Sequence, residues 1–170
     1  MLKVVFDAGP LITACKFYAD GKLIVDHLLP GCQIVIAPSV EDEVAVLGAP
    51  YPDGVAAAER IADGRIAVDP ISSRRWSAHL AAYALGDGER DSIELCSQIE
   101  AEALVVDDYV AFIAASRAGL KTLMLPDFVV ELAKRSLLTA QSAEKVLRAI
   151  RPRYRKGVVE HSLMQLQEVM

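Results

Sequence analysis

The chain has 170 residues, of which 53% are hydrophobic and 24% are charged, and its net charge is −5. This composition excludes a disordered chain and suits one globular domain. The acidic balance gives no general attraction to nucleic acid, although a nuclease can still bind RNA through a local basic patch. No segment approaches the roughly 18 uncharged apolar residues of a membrane span, and the start lacks the features of a signal peptide, so we expect a cytoplasmic protein.

Five short apolar runs predict β-strands, at residues 2–6, 33–37, 65–68, 103–106 and 121–125. Helical patterns separate these runs, as in βαβ units with a parallel sheet. The predicted helices cover residues 11–17, 22–29, 38–47, 53–62, 73–84, 89–101, 109–118, 127–136, 139–150 and 158–169. We therefore expect a single α/β domain over residues 1–170, with a core of about residues 1–136 and a helical C-terminal extension of about residues 137–170.

The three cysteines, Cys15, Cys32 and Cys96, lie far apart in apolar surroundings and form no CxxC pair. This pattern favours buried free thiols in a reducing compartment over a zinc or redox motif. The three histidines are scattered along the chain, at positions 27, 79 and 161, and none stands beside an acidic cluster. A zinc site is therefore disfavoured.

Asp7 ends the first predicted strand and is followed by Gly9, Pro10 and an apolar helical pattern. Open α/β sheets bind their ligands at the carboxyl ends of their strands, which is where this side chain is expected. The alternative is that Asp7 only caps the helix that follows it.

A second acidic group, Glu41, Asp42 and Glu43, lies in the helix that Pro38 opens. At 100° per residue, Glu43 lies about 70° from the centre of the apolar face and is the acid best placed to point along the edge of the core. Glu41 and Asp42 fit a solvated face or the helix dipole better.

A third group lies in the segment Gly86-Asp87-Gly88-Glu89-Arg90-Asp91, whose glycines predict a tight turn into a helix with Asp87 as its N-cap. Glu89 lies about 60° from the centre of the buried face and Asp91 about 100°, whereas Arg90 and Glu94 are expected to face solvent. For Asp91, a functional role and a simple helix-dipole role are equally good interpretations.

The fourth group, Asp107 and Asp108, follows another buried strand. One cap would suffice for the helix that starts at Tyr109, so we expect one carboxylate to point into a site and the other to cap the helix. The sequence leaves open which of the two carboxylates has which role.

Gathered carboxylates repel one another, and hard cations such as Mg²⁺ or Mn²⁺ relieve that repulsion because they prefer oxygen ligands. Such ions can activate a water and orient a phosphodiester.

Four segments, residues 5–12, 38–44, 85–89 and 104–108, together resemble the PIN-domain ribonucleases, especially the VapC-like branch of toxins from toxin–antitoxin systems. Their order and spacing over residues 2–125 make the match fairly specific. The resemblance implies a PIN-like three-layer α/β/α fold with a central five-stranded parallel sheet. It also implies a Mg²⁺- or Mn²⁺-dependent endoribonuclease that hydrolyses RNA phosphodiesters, a homodimer and, for toxins, a small antitoxin that occludes the site.

Carried onto this chain, the resemblance implies a catalytic set of Asp7, Glu43, Glu89 and Asp108. The implied metal ligands are Asp7, Glu89, Asp91, Asp107 and Asp108, with Glu89 and Asp91, like Asp107 and Asp108, as alternatives to each other.

The resemblance has departures. Many relatives have a hydroxyl residue just after the first aspartate or before the last acid, whereas this chain has Ala8, Gly9 and Val106. The missing hydroxyls motivate an alternative hypothesis, in which the chain is a catalytically weak or inactive PIN-like binding or scaffold protein.

Two further features belong to the C-terminal part. Residues 148–156 hold five basic side chains that are candidates for binding RNA phosphates, with Tyr154 stacking on a base: Arg148, Arg151, Arg153, Arg155 and Lys156. A solvated loop between helices is the alternative. An apolar pattern fits either a groove for a dimer or antitoxin partner, or ordinary packing on the core; it comprises Leu132, Leu137, Leu138, Val146, Leu147 and Ile150.

Overall fold

The computed structural model describes residues 1–168. In chain order, its elements are β1 (Leu2–Phe6), α1 (Ala8–Lys16), β2 (Tyr18–Ala19), β3 (Lys22–Leu23), α2 (Ile24–Leu28), β4 (Cys32–Ile36), α3 (Pro38–Glu41), a π-helical turn (Asp42–Val46), α4 (Pro52–Ala62), β5 (Ile66–Val68), α5 (Ser77–Leu80), α6 (Asp87–Gln98), β6 (Ala103–Val105), α7 (Tyr109–Arg117), β7 (Thr122–Leu123), α8 (Leu125–Lys134), α9 (Ala140–Ile150), a 3₁₀ turn (Arg151–Arg153) and α10 (Val158–Gln167).

The five predicted strands pair in parallel in the order β5-β4-β1-β6-β7, which confirms the expected α/β class and central sheet. Val4, Val5 and Phe6 follow one another in β1 and are all fully buried, so both faces of the central strand are covered. Helices flank the sheet, and the ring of Phe128 from α8 meets Phe6 edge to face at 5.5 Å. Strands buried on both faces explain why these runs are continuously apolar in the sequence.

The chain leaves β1 for β4 and β5 on one side of the sheet, and later returns to place β6 and β7 on the other side. The order of the strands therefore reverses between β1 and β6. In open α/β sheets, the crevice at the carboxyl ends of strands at such a switch point is the usual ligand site. Asp7 follows β1 and Asp107 follows β6 closely, so both border this crevice.

Two predicted helices are shorter in the structure than expected. The helix expected at residues 22–29 starts only at Ile24, because Asp20 and Gly21 adopt positive φ angles of 49° and 74° and turn the β2–β3 hairpin. The helix expected at residues 73–84 shrinks to the single turn Ser77–Leu80. Side chains of α6 hold the preceding segment, since Gln98 accepts hydrogen bonds from the backbone of Ser72 and Ser73.

The helix expected at residues 38–47 is α-helical only to Glu41 and continues as the π-helical turn. The end of the last predicted helix, at residue 169, lies outside the described residues.

The C-terminal helices α9 and α10 pack on α8 and on each other. Leu132, Val146, Leu147 and Ile150 are fully buried there, so these four residues of the apolar pattern pack within this chain. Leu138 is partly buried against the core, and Leu137 has 37% of its surface exposed. Thr139 caps α9 by accepting a hydrogen bond from Ser142 N at 3.1 Å.

The three cysteines are free and buried, as the sequence predicted. Loss of hydration raises the pKa of each thiol to about 12. Among residues 1–168, no helix is long and apolar enough to cross a membrane.

Candidate active site

A cavity of about 830 Å³ opens at the carboxyl ends of β1 and β6. Its walls carry six carboxylates, from Asp7, Glu43, Asp87, Glu89, Asp107 and Asp108. They come from four separate segments of the chain. Within residues 1–168, none of these six carboxylates forms an ion pair with a lysine, arginine or histidine. The cavity therefore concentrates negative charge, since its two lining cations within residues 1–168, Arg153 and Arg155, form no ion pair with any of the six carboxylates.

Asp7 is the most deeply buried of the six, with 6% of its surface exposed. Its backbone N–H donates to Val105 O at 3.0 Å, which pins the residue to the end of β6. Its side chain makes no capping hydrogen bond to α1, contrary to the simple helix-cap interpretation. Ser92 Oγ of α6 donates to Asp7 Oδ1 at 3.3 Å.

The pKa of Asp7 is raised to about 6, chiefly because burial removes hydration from its carboxylate. The backbone N–H of Ala8 opposes this rise, and the nearby carboxylates of Glu89 and Glu43 add to it. A positive charge in the cavity would favour the ionised form of Asp7, so the electrostatics suit a cation.

Glu43 projects from the π-helical turn to the same place. A Cβ added to Gly88 would lie 3.3 Å from Glu43 Oε2 and 3.9 Å from Asp7 Oδ1. The missing side chain of Gly88 therefore leaves open the space beside both oxygens. The π-helical turn itself was not predicted, and such turns occur often at functional sites.

Glu89 lies in the first turn of α6, and its Oε2 accepts a hydrogen bond from Gly86 N at 2.8 Å. Gly86, and not Asp87, is the N-cap of α6, so the predicted capping role of Asp87 was wrong. Asp87 is instead an exposed residue of the first helical turn.

The structure distinguishes the two adjacent acids after β6. Asp108 caps α7, since its Oδ1 accepts from Ala111 N at 2.9 Å. Asp107 is half-buried, and its two oxygens accept from Leu125 N at 3.2 Å and from the Tyr154 hydroxyl at 2.7 Å. Both carboxylates line the cavity, but only Asp107 is held from two other elements of the fold.

Asp91 is not among the residues that line the cavity. It accepts a hydrogen bond from Ser39 Oγ at 2.7 Å and pairs with Arg74.

Glu94, expected to face solvent, is 2% exposed, and both its oxygens accept from the backbone N–H of Trp76. That expectation was wrong, because a backbone donor outside the helix satisfies this carboxylate inside the fold.

The basic segment divides into two groups. Arg153 and Arg155 line the cavity. Arg148 pairs with Glu144 at 2.7 Å, and Arg151 pairs with Glu160. The cavity lining does not include Arg148, Arg151 or Lys156.

Sequence reasoning missed two features of this site. Ser92 lies three residues after Glu89 on α6, so helical spacing alone places both on one face. Tyr109 begins α7 with 76% of its surface exposed and lies in the cavity wall. Tyr154, the aromatic residue considered for stacking, is half-buried and donates its hydroxyl to Asp107.

The carboxylates form an open arrangement. Within the part of the chain described here, no three His, Cys, Asp or Glu side chains are close enough to enclose a metal ion by themselves. Mg²⁺ does not require such a cage, since it keeps several waters and binds through one or two carboxylates plus substrate phosphates. An all-oxygen donor set and the gap beside Gly88 therefore fit a hard, partly hydrated cation.

The protein is of the α/β class, with a parallel sheet and a carboxylate-lined crevice at the switch point of that sheet. A family model described as a PIN domain matches residues 3–168, and the chain belongs to the PIN domain family. PIN domains are generally nucleases and generally use divalent metals. None of the curated proteins matches the chain.

One solved structure is similar at 15% sequence identity, with a TM-score of 0.47. The similarity covers 74% of this chain and 91% of the other, which is a domain of a functionally unknown protein from Methanocaldococcus jannaschii DSM 2661.

Proposed function

We propose that this protein is an endoribonuclease that depends on Mg²⁺ or Mn²⁺ and hydrolyses RNA phosphodiesters. The observation that carries the proposal is the convergence of carboxylates from four chain segments on one crevice of a PIN-family fold. Asp7 is central, because it is buried, lies beside Glu43 and Glu89, and has no cationic partner among residues 1–168.

Asp7, Glu43, Glu89 and Asp107 would hold the ion, directly or through water, with Asp108 at the rim of the site. When bound, a divalent ion lowers the pKa of water and stabilises negative charge on phosphate oxygens. Asp91 is the weaker candidate of its pair, because Ser39 and Arg74 occupy its carboxylate.

The polar and aromatic walls of the cavity suit RNA. Arg153 and Arg155, which line the same cavity as the carboxylates, would donate hydrogen bonds to phosphate oxygens. The exposed ring of Tyr109 offers a surface on which an unpaired base can stack. These residues would orient a single strand while the carboxylates organise its scissile phosphate.

The toxin role is the finer part of the proposal, and it rests on the resemblance of the four acidic segments to the VapC-like branch. It includes a homodimer and a small antitoxin that covers the crevice. A small protein with a DNA-binding head, encoded immediately upstream, would be expected to copurify with this chain and inhibit its cleavage of RNA. If the upstream reading frame encodes no such protein, the nuclease proposal stands and the biological role is open.

Asp7→Asn tests the chemistry. We expect this variant to lose Mn²⁺-dependent cleavage of a fluorescent single-stranded RNA, because the neutral amide cannot neutralise the cation. Thermal stability without metal should be unchanged or higher, since the variant buries no charge. Asp42→Asn, at an exposed neighbour of Glu43 outside the cavity lining, is the matched control and should cleave like the parent.

Two outcomes would contradict the proposal. Cleavage by Asp7→Asn at the parental rate would reject the assignment of the site. A parent protein that neither cleaves RNA nor binds Mn²⁺ at millimolar concentrations would favour the inactive scaffold.

A further inference from the structure

A hydrogen bond between the C-terminal extension and the wall of the cavity joins Tyr154 to Asp107. The Tyr154 hydroxyl donates to Asp107 Oδ2 at 2.7 Å, while Leu125 N donates to Oδ1 at 3.2 Å. The carboxylate of Asp107 is thus held from two sides. Each of its oxygens has two lone pairs, so each retains one that can face a cation.

The fold brings Tyr154 to this position from far along the chain, 47 residues after Asp107. The 3₁₀ turn Arg151–Arg153 ends at Tyr154, whose backbone is extended with φ −111° and ψ 155°. Tyr154 lines the same cavity as its neighbours Arg153 and Arg155, and its hydroxyl reaches Asp107 from this segment.

Contacts on the far side hold this segment in place. Gly157 adopts a φ of 101° and leads into α10, where Val159 is buried. Ser162 of α10 donates to Asp127 Oδ1 of α8 at 3.0 Å. Because α8 begins with Leu125, the helix that donates to Asp107 Oδ1 is also the helix against which α10 packs.

We infer that Tyr154 is a positioning residue of the metal site, which holds the Asp107 carboxylate in the orientation needed to bind the cation. This inference rests on the proposed function. The C-terminal segment supplies a hydroxyl to Asp107, and Ser92 of α6 supplies one to Asp7.

The physical effect of the hydroxyl is on the binding of the ion. Without it, the side chain of Asp107 keeps one of its two hydrogen bonds and gains freedom to rotate. Groups that orient metal ligands in this way typically change metal affinity by about 10- to 100-fold when removed. A residue that only stabilised the fold would leave the affinity of the folded protein for metal unchanged.

The test is calorimetric titration of the full chain with Mn²⁺ alone, comparing the parent with Tyr154→Phe. This variant keeps the ring and removes only the hydroxyl. Tyr18→Phe, at an exposed tyrosine of the β2–β3 hairpin, is the matched control. Thermal unfolding in EDTA runs in parallel, so that a loss of fold is distinguished from a loss of ligand orientation.

We expect Kd for Mn²⁺ to rise at least about 10-fold in Tyr154→Phe and to stay at the parental value in Tyr18→Phe. We also expect the rise in Tm on adding a fixed concentration of Mn²⁺ to be smaller for Tyr154→Phe than for the parent. Equal Kd values for the parent and Tyr154→Phe overturn this inference and leave the nuclease proposal intact. A parent that binds no Mn²⁺ rejects the proposed function, and this inference with it.

Discussion

Asp7 places a carboxylate where ionisation is costly. Burial raises its pKa from 3.8 to about 6 in the folded protein. The unfolded chain therefore ionises this group first as pH rises, and the free energy of unfolding falls between about pH 4 and pH 6. The cost at neutral pH without metal is ~3 kcal/mol, at 1.36 kcal/mol for each pKa unit. A bound cation would offset much of this cost, which links the stability of the protein to its proposed cofactor.

This linkage gives a pH prediction. In EDTA, the free energy of unfolding of the parent should fall relative to that of Asp7→Asn as pH rises from about 4 to 7, by up to ~3 kcal/mol. Urea unfolding at several pH values measures the difference between the two proteins. Below about pH 3 the difference should level off, because Asp7 is then protonated in both states. Parallel curves for the two proteins across this range would contradict the raised pKa.

At the scale of elements, the π-helical turn and α4 approach each other closely. A Cβ on Gly54 would lie 2.0 Å from the carbonyl oxygen of Gly48, and one on Gly48 would lie 2.0 Å from Val44 O. No side chain fits between these backbones. The two glycines therefore let the turn that carries Glu43 pack directly on the start of α4.

Gly54→Ala should consequently destabilise the protein. We expect the free energy of unfolding to fall by about 1–3 kcal/mol, because the methyl group forces the two backbones apart. Gly9→Ala in α1 is the control, since its Cβ would meet Asp107 Cβ at an ordinary 3.9 Å. That control should keep or slightly raise stability, as alanine favours helix over glycine. Equal stability of Gly54→Ala and the parent in urea unfolding would show that the contact yields without strain.

Elements also show where sequence patterns were sufficient and where they failed. The five strands follow from continuous apolar runs, and their observed limits differ from the predicted ones by two residues at most. The helix predicted at residues 73–84 failed because α6 competes for its backbone. Glu94 and Gln98 accept hydrogen bonds from the N–H groups of Trp76, Ser72 and Ser73. Local periodicity carries no information about acceptors that lie about 20 residues further along the chain.

For the whole molecule, the net charge of −5 opposes binding to RNA, so attraction depends on where the positive charges lie. Arg153 and Arg155 line the cavity and make no ion pair within residues 1–168. Arg148 and Arg151 are paired with glutamates outside it. The fold thus places two cations of this basic segment at the site and two paired ones away from it, while Lys156 lies outside the cavity lining.

This sorting predicts a difference in salt dependence. For cleavage-deficient Asp7→Asn protein and a labelled single-stranded RNA, log Kobs should fall with log salt between about 50 and 200 mM. Replacing both Arg153 and Arg155 with alanine should reduce the magnitude of this slope by about 1.4, since each phosphate contact on a single strand contributes about 0.7. Replacing Arg148 and Arg151 should leave it nearly unchanged. Equal slopes for the two double variants, measured by fluorescence anisotropy, would remove Arg153 and Arg155 from the RNA-binding surface.

The amino-acid sequence by itself determined the fold class and the acidic clusters from which the site is built. Strand runs and helical spacing are local properties, so the pattern of residues alone assigns Asp7, Glu43 and Glu89 to the ends and faces of their elements. Only the tertiary structure decided that Asp108 caps α7 while Asp107 is held by Tyr154, and that Asp91 turns away to Ser39 and Arg74. The physical reason is that these choices depend on hydrogen-bond partners from distant segments, whose approach is set by packing of the whole chain.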